Sequence, residues 1–246
     1  MNMKYLNYLL RNQNFQSFFK PPFQYFSSSS IISPRNALTQ QEVNQINLLI
    51  PRLCLTNNIN AAVHLIITAL LVAANPPPKS LSLSILVHSL TSQQDLALPM
   101  SLLTKLRHTP QAHPSVAPIC TLLVSSYVKK GRPRDALKVY GWMLRPDSPC
   151  DGVEKQKAVF HVLVGGLCRE GMVVEALGVL RDMVRGGLVV VGGGLRERVF
   201  RSLLREARVR EARELDAALE VVGNGGDGGL EKLLNLLDQM IASWTE

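Results

Sequence analysis

Leu122-Leu123-Val124-Ser125-Ser126-Tyr127-Val128-Lys129-Lys130-Gly131-Arg132-Pro133-Arg134-Asp135-Ala136-Leu137 is matched, position for position, by Val162-Leu163-Val164-Gly165-Gly166-Leu167-Cys168-Arg169-Glu170-Gly171-Met172-Val173-Val174-Glu175-Ala176-Leu177 further along the chain. Both stretches continue to a methionine at equal distance, Met143 and Met183. In the second copy Leu163, Val164, Leu167 and Cys168 recur at helical spacing. A glycine then interrupts, and Ala176, Leu177, Leu180 and Met183 supply a second apolar stripe. The unit is therefore two helices joined by a turn. Gly131 and Gly171 occupy the turn because a left-handed backbone costs glycine nothing. The alanine five residues after each glycine fits a close helix crossing, where a larger side chain would force the helices apart.

The pattern extends outward in both directions. Upstream, Leu48-Leu49-Ile50-Pro51-Arg52-Leu53-Cys54 leads through Asn57-Asn58 to Ala61-Ala62, with asparagine in the turn as the next best left-handed residue. Downstream, Val199-Phe200-Arg201-Ser202-Leu203-Leu204 leads through Ala207 to Glu211-Ala212. Between these lies Ile85-Leu86-Val87-His88-Ser89-Leu90, followed by Leu96, Leu102 and Leu103. That copy carries Gln94 at the turn and Pro99 where the alanine should stand, which argues against its second helix. A recurrence at about 40 residues is the mark of a stacked repeat array rather than of a single closed core.

With 46% hydrophobic and 19% charged residues, the 246-residue chain has the composition of a globular protein. The longest apolar run, 61–74, contains His64 and falls short of the roughly 20 residues a membrane-spanning helix needs, so no membrane span is expected. Cys54, Cys120, Cys150 and Cys168 lie too far apart for a zinc pair or a disulfide framework, which points to a reducing compartment. The five histidines have no metal-site spacing. Gly223-Asn224-Gly225-Gly226-Asp227-Gly228 matches a dinucleotide-binding spacing, but no strand precedes it, so it reads as a linker to an amphipathic closing helix over 230–244. Nothing supports an active site or a cofactor. Charge is uneven: residues 1–116, 117–213 and 214–246 sum to +6, +8 and −6. A basic body suits a polyanionic partner, and the acidic tail suits an end cap, a protein contact or a solvated face.

The run 163–171, with Glu175-Ala176, Met183 and Gly186-Gly187-Leu188, resembles the pentatricopeptide repeat. The resemblance implies an all-α, right-handed α-solenoid of helix-turn-helix repeats that binds single-stranded RNA. Units fall at 43–79, 80–116, 117–156, 157–192 and 193–227, best formed at 117–156 and 157–192. Residues 1–38 precede them as an organellar transit peptide, and 228–246 follow as a C-terminal amphipathic capping helix. In that family one side chain early in the first helix and one at the repeat's end read a base together, with an apolar neighbour stacking on it. The pair Thr121 and Asp151 resembles a guanine reader, with Pro118 as the stacking neighbour. The pairs Asn47 with Pro77, Ser84 with Pro114, His161 with Val191 and Glu197 with Asp227 are illegible, because proline and valine side chains cannot hydrogen-bond a base edge. Affinity would then lean on phosphates met by Lys129, Lys130, Arg132 and Arg134. No His-x-Glu followed by Cys-x-x-Cys occurs, so the deaminase signature is absent. The resemblance implies a non-enzymatic protein acting in transcript processing, splicing, stability or translation. The alternative is a protein-interaction solenoid, such as a subunit of an organellar ribosome or RNA-processing complex.

Residues 1–41 hold Lys4, Arg11, Lys20 and Arg35 with no acid, and combine Leu6, Leu9, Leu10, Phe15, Phe18 and Phe19 with the serine run 27–30. That composition predicts mitochondrial import, with the chloroplast as the alternative, and cleavage near Phe26. Fusing residues 1–45 to a fluorescent reporter should send it to mitochondria, and Arg11→Glu with Lys20→Glu should abolish import. A reporter that stays cytosolic in both forms would remove the organellar expectation.

Overall fold

The computed structural model describes residues 38–72, 81–150, 157–188, 193–223 and 229–244. The regular elements among them are all helices. They run in pairs: α1 (Gln40–Leu55) with α2 (Ile59–Val72), α3 (Leu83–Ser92) with α4 (Ala97–Arg107), α5 (His113–Lys129) with α6 (Pro133–Met143), α7 (Lys157–Arg169) with α8 (Val173–Arg185), and α9 (Gly193–Arg205) with α10 (Val209–Gly223). A closing helix, α11 (Gly229–Ala242), follows, and a 3-10 turn at Pro110–Ala112 leads into α5. The first helices of the pairs form an A row and the second helices a B row. The fold class is the all-α solenoid that the periodicity implies. Helix α5 begins at His113, upstream of position 117 where the repeat phase sets the unit boundary.

Four of the five pairs share one turn. Asn57, Gly131, Gly171 and Ala207 are left-handed, with φ of 56°, 67°, 73° and 58°. Across each turn the next residue's amide closes back onto the first helix: Asn58 N to Leu53 O at 2.8 Å, and Arg132 N to Tyr127 O, Met172 N to Leu167 O and Arg208 N to Leu203 O each at 3.0 Å. This closure satisfies a carbonyl that the helix end would leave unpaired and sets the angle of reversal. Ala207 is the costly member, because a Cβ at positive φ is disfavoured by about 1–2 kcal/mol.

The second pair turns differently and corrects the expectation at Pro99. It has no left-handed residue; the chain bends over 93–96, and Asp95 Oδ1 accepts from Ala97 N at 3.2 Å. Helix α4 then forms with Pro99 as its third residue, buried against the core. The amides of a helix's first turn have no intrahelical acceptor, so proline there sacrifices no hydrogen bond and its ring meets no preceding turn.

The A helices pack successively, α1 on α3, α3 on α5, α5 on α7 and α7 on α9. Most B helices pack chiefly on the A helix of their own pair, whereas α4 leans more on α5 of the next pair. In the B row α6 and α8 are tied by Tyr140 Oη donating to Asp182 at 3.2 Å, and Tyr140 meets Phe160 edge-on at 5.6 Å. The A row is the more closely packed of the two. Ala62, Ala136, Ala176 and Ala212 are all fully buried, as the crossing argument requires. Among the described glycines the tightest approach between repeats is at Gly166, where an added Cβ would lie 2.5 Å from Val128 Cγ1.

Helix α11 does not extend the A row. It folds onto the B row, against α10 and α8, through Leu233, Leu237 and Met240. Arg181 and Arg185 on α8 both reach Asp238, at 3.0 and 3.2 Å, and the Arg208 guanidinium lies 4.0 Å from the Trp244 ring centroid. Asp238 of the acidic tail therefore neutralises arginines of this chain's own fourth repeat, and Trp244 covers one of the fifth.

Two glycine substitutions separate repeat-to-repeat packing from helix propensity. Gly166→Ala should destabilise the protein by about 1–3 kcal/mol, since the branched Val128 cannot swing clear. Gly178→Ala on α8 adds a Cβ that meets nothing within 4 Å and should stabilise by about 1 kcal/mol. Urea denaturation of both proteins checks the pair; equal effects would mean that the A-row spacing is misplaced.

Candidate nucleic-acid interface

The exposed edge of the A row carries the first members of the base-reader pairs that the sequence marks. On α5, Pro118 is exposed and Thr121 is half-buried, with its hydroxyl donating to Ala117 O one turn back at 2.8 Å. Asn47 on α1 is committed elsewhere: its Oδ1 accepts from Ser82 N at 2.7 Å and fixes the approach to α3. Ser84 stands exposed as the second residue of α3. His161 on α7 is half-buried, and its Nε2 is buried with no hydrogen-bond partner. Burial, Lys157 and Arg198 all push its pKa below the usual imidazole value.

Asp151, Pro77, Val191 and Asp227, the second members of four pairs, lie outside the described residues. The structure does join the immediate neighbours of the Thr121–Asp151 pair. The Cys120 thiol is hydrogen-bonded with Cys150, and that bond together with burial holds its pKa well above the ordinary thiol value. Next to three reader positions stands an exposed apolar side chain that the sequence reading passed over: Leu48, Ile85 and Leu122, at 62%, 41% and 37% exposure.

The four cations around the turn of the third pair divide into two kinds. Lys129 and Arg134 are exposed, with no ion pair among the described residues. Lys130 and Arg132 instead turn inward onto the end of α3. Lys130 Nζ donates to His88 O at 2.8 Å and to the Ser92 hydroxyl, and partial burial followed by the charge of Arg132 lowers its pKa. The Arg132 guanidinium donates to Thr91 O at 3.0 Å, to Gln93 O and to Gln94 O at 2.9 Å. It also bonds Asp135 at 2.7 Å and lies 5.0 Å from the Tyr127 ring centroid. These two residues stand in for the left-handed turn that the second pair lacks, satisfying its terminal carbonyls from the next repeat. The same tie recurs where Arg169 donates to Val128 O at 3.1 Å and where Ser202 donates to Cys168 O at 3.3 Å.

Lys157 and Arg198 are exposed on α7 and α9, and sequence reading singled out neither. The available signal was spacing, since Lys157 and His161 are four apart and share a helix face. Among the described residues there is no group of histidine, cysteine and carboxylate side chains able to hold a metal. No helix among them is long and apolar enough to cross a membrane.

The family model described as PPR repeat matches residues 119–145 and 158–188, within the α5–α6 and α7–α8 pairs. Those two helical pairs are pentatricopeptide repeats in sequence. No curated protein matches it in sequence. Pentatricopeptide-repeat proteins are in general non-enzymatic RNA-binding helical-repeat proteins. In this chain the two matched pairs are also the two whose turns carry a left-handed glycine.

The two classes of cation respond differently to neutralisation. Arg132→Gln should cost about 1–3 kcal/mol of stability, because it strands carbonyls at the end of α3. Lys129→Gln should leave stability within about 0.5 kcal/mol. Thermal denaturation of the two variants checks this; a stable Arg132→Gln protein would refute the clamp.

Proposed function

We propose that this chain is a pentatricopeptide-repeat protein that binds single-stranded organellar RNA along its A-row edge and acts in transcript processing, splicing, stability or translation without catalysing a reaction. The observation that carries this reading is the set of exposed cations with no carboxylate partner among the described residues in and beside the two matched pairs: Lys129, Lys157 and Arg198 on A helices, with Arg134 at the start of α6. Phosphate contacts of that kind supply affinity and not sequence discrimination. Discrimination rests on the Thr121–Asp151 pair, supported by Pro118. An RNA segment held extended on this face is kept out of alternative base pairing and is presented to other factors. The composition of residues 1–41 supports a mitochondrial destination, with the chloroplast as the alternative.

A second reading draws on the apolar side chains Leu48, Ile85 and Leu122, which suit a bound protein helix better than a base edge. On that reading the chain is an interaction solenoid, such as a subunit of an organellar ribosome or processing complex. Titration with short oligoribonucleotides across a salt series decides between them. RNA binding should weaken linearly in log salt, with a slope of about −0.7 for each phosphate contacted. Thr121→Ala combined with Asp151→Ala should relax preference at one nucleotide by about 1–3 kcal/mol. Salt-insensitive or absent RNA binding, beside a partner protein that survives nuclease treatment, would favour the interaction solenoid.

A further inference from the structure

Helix α7 presents Lys157, His161 and Gly165 at successive intervals of four residues, which aligns them on one face over two turns. The Arg198 guanidinium of α9 lies across that face at Gly165: a Cβ built on Gly165 would sit 2.7 Å from an Arg198 terminal nitrogen and 3.6 Å from its Cδ. The missing side chain is what lets the guanidinium reach α7. Neither Lys157 nor Arg198 has an ion pair among the described residues, and the neighbouring carboxylate, Glu197, is held by Arg201. Between the two cations, His161 Nε2 is buried with its hydrogen-bonding capacity unmet. Burial lowers the imidazole pKa, and the charges of Lys157 and Arg198 lower it further, which places both cations close to this ring.

We propose that Lys157, His161 and Arg198 form an inter-repeat cradle that holds a phosphate group, and that its ligand is one phosphodiester of a bound RNA strand. A phosphate supplies acceptor oxygens to three groups that lack them among the described residues, and its negative charge offsets that of the two cations. A planar guanidinium suits such an oxyanion in a way a lysine ammonium alone does not. The cradle is local: one repeat earlier Ala117 and Thr121 on α5 stand at the positions of Lys157 and His161, and Val162 on α7 stands at that of Arg198, with no cation among them. It fixes the strand between the fourth and fifth repeats and so sets its register against the preceding pair. This inference rests on the RNA reading given above.

The test uses the full chain, a fluorescent twelve-nucleotide oligouridylate and, separately, inorganic phosphate. Lys157→Gln with Arg198→Gln should weaken RNA binding about tenfold at low salt and reduce the magnitude of the salt slope by about 0.7, the share of one phosphate. Lys105→Gln with Arg145→Gln removes the same charge from exposed sites on other elements and should change affinity by less than about twofold. Lys157→Arg with Arg198→Lys should recover most of the loss, and matching circular dichroism spectra guard against unfolding. Inorganic phosphate should shift the His161 imidazole resonances of the wild-type protein and leave those of the Gln double variant in place. Equal losses in the Gln double variant and its control would overturn the cradle in favour of diffuse charge. Unchanged RNA affinity in the Gln double variant would also overturn it while leaving the RNA reading intact. A wild-type protein that binds phosphate but no RNA would overturn both the RNA assignment of the cradle and the reading on which it rests.

Discussion

Everything in this solenoid depends on the direct stacking of A helix on A helix. A single helical pair cannot enclose its own apolar surface; Leu123, Val124 and Tyr127 on α5 or Leu163, Val164 and Leu167 on α7 are buried because a neighbouring pair covers them. The distance between neighbours is set by backbone and not by adaptable side chains. At Gly166 the absence of a Cβ admits Val128, and at Gly165 it admits Arg198. The first contact holds the stack together. The second carries a cation onto the exposed edge, so the constraint that packs the repeats also places charge where a strand would lie.

The stack is tied at its turns as well as along its helices. Lys130, Arg132, Arg169 and Ser202 each send a donor to a carbonyl near the end of the preceding A helix. Such ties are short-range along the solenoid, reaching one repeat back, and they compensate local weakness. The second pair lacks a left-handed turn residue, yet Arg132 binds three of its carbonyls. At the other end, the acidic helix α11 covers the B row of the last repeats and pairs Asp238 with two arginines. It leaves the A-row edge open, and the cations there keep their charge for another partner.

What could be read from the chain and what could not divides along the range of the interactions. Asn57, Gly131 and Gly171 were legible because a left-handed turn is a local demand on one residue; Ala207 was placed at its turn only by alignment with them, and the buried alanines were legible because they keep a fixed distance from the turn. Pro99 misled because its effect depends on where a helix starts: three residues into α4 it is harmless, whereas later it would not be. Lys130 and Arg132 looked like solvent-facing phosphate contacts, since a basic turn carries no mark of the carbonyls awaiting it in the preceding repeat. The grouping of Lys157, His161 and Arg198 joins two repeats across a bare glycine, which only the stacked structure displays. Asn47 was marked as a reader and is instead bonded to Ser82, another contact between successive repeats.

The central claim is that the A-row edge of this solenoid is an RNA surface. Ultraviolet crosslinking of the full protein to a uridine-rich oligoribonucleotide, followed by mass-spectrometric mapping of the attached peptides, tests it most directly. The account predicts crosslinks within 113–129, 157–169 and 193–205, the spans of α5, α7 and α9, and none within the B helices 173–185 and 209–223. Crosslinks confined to the B row, or a protein that yields none under conditions where a control RNA-binding domain does, would contradict it.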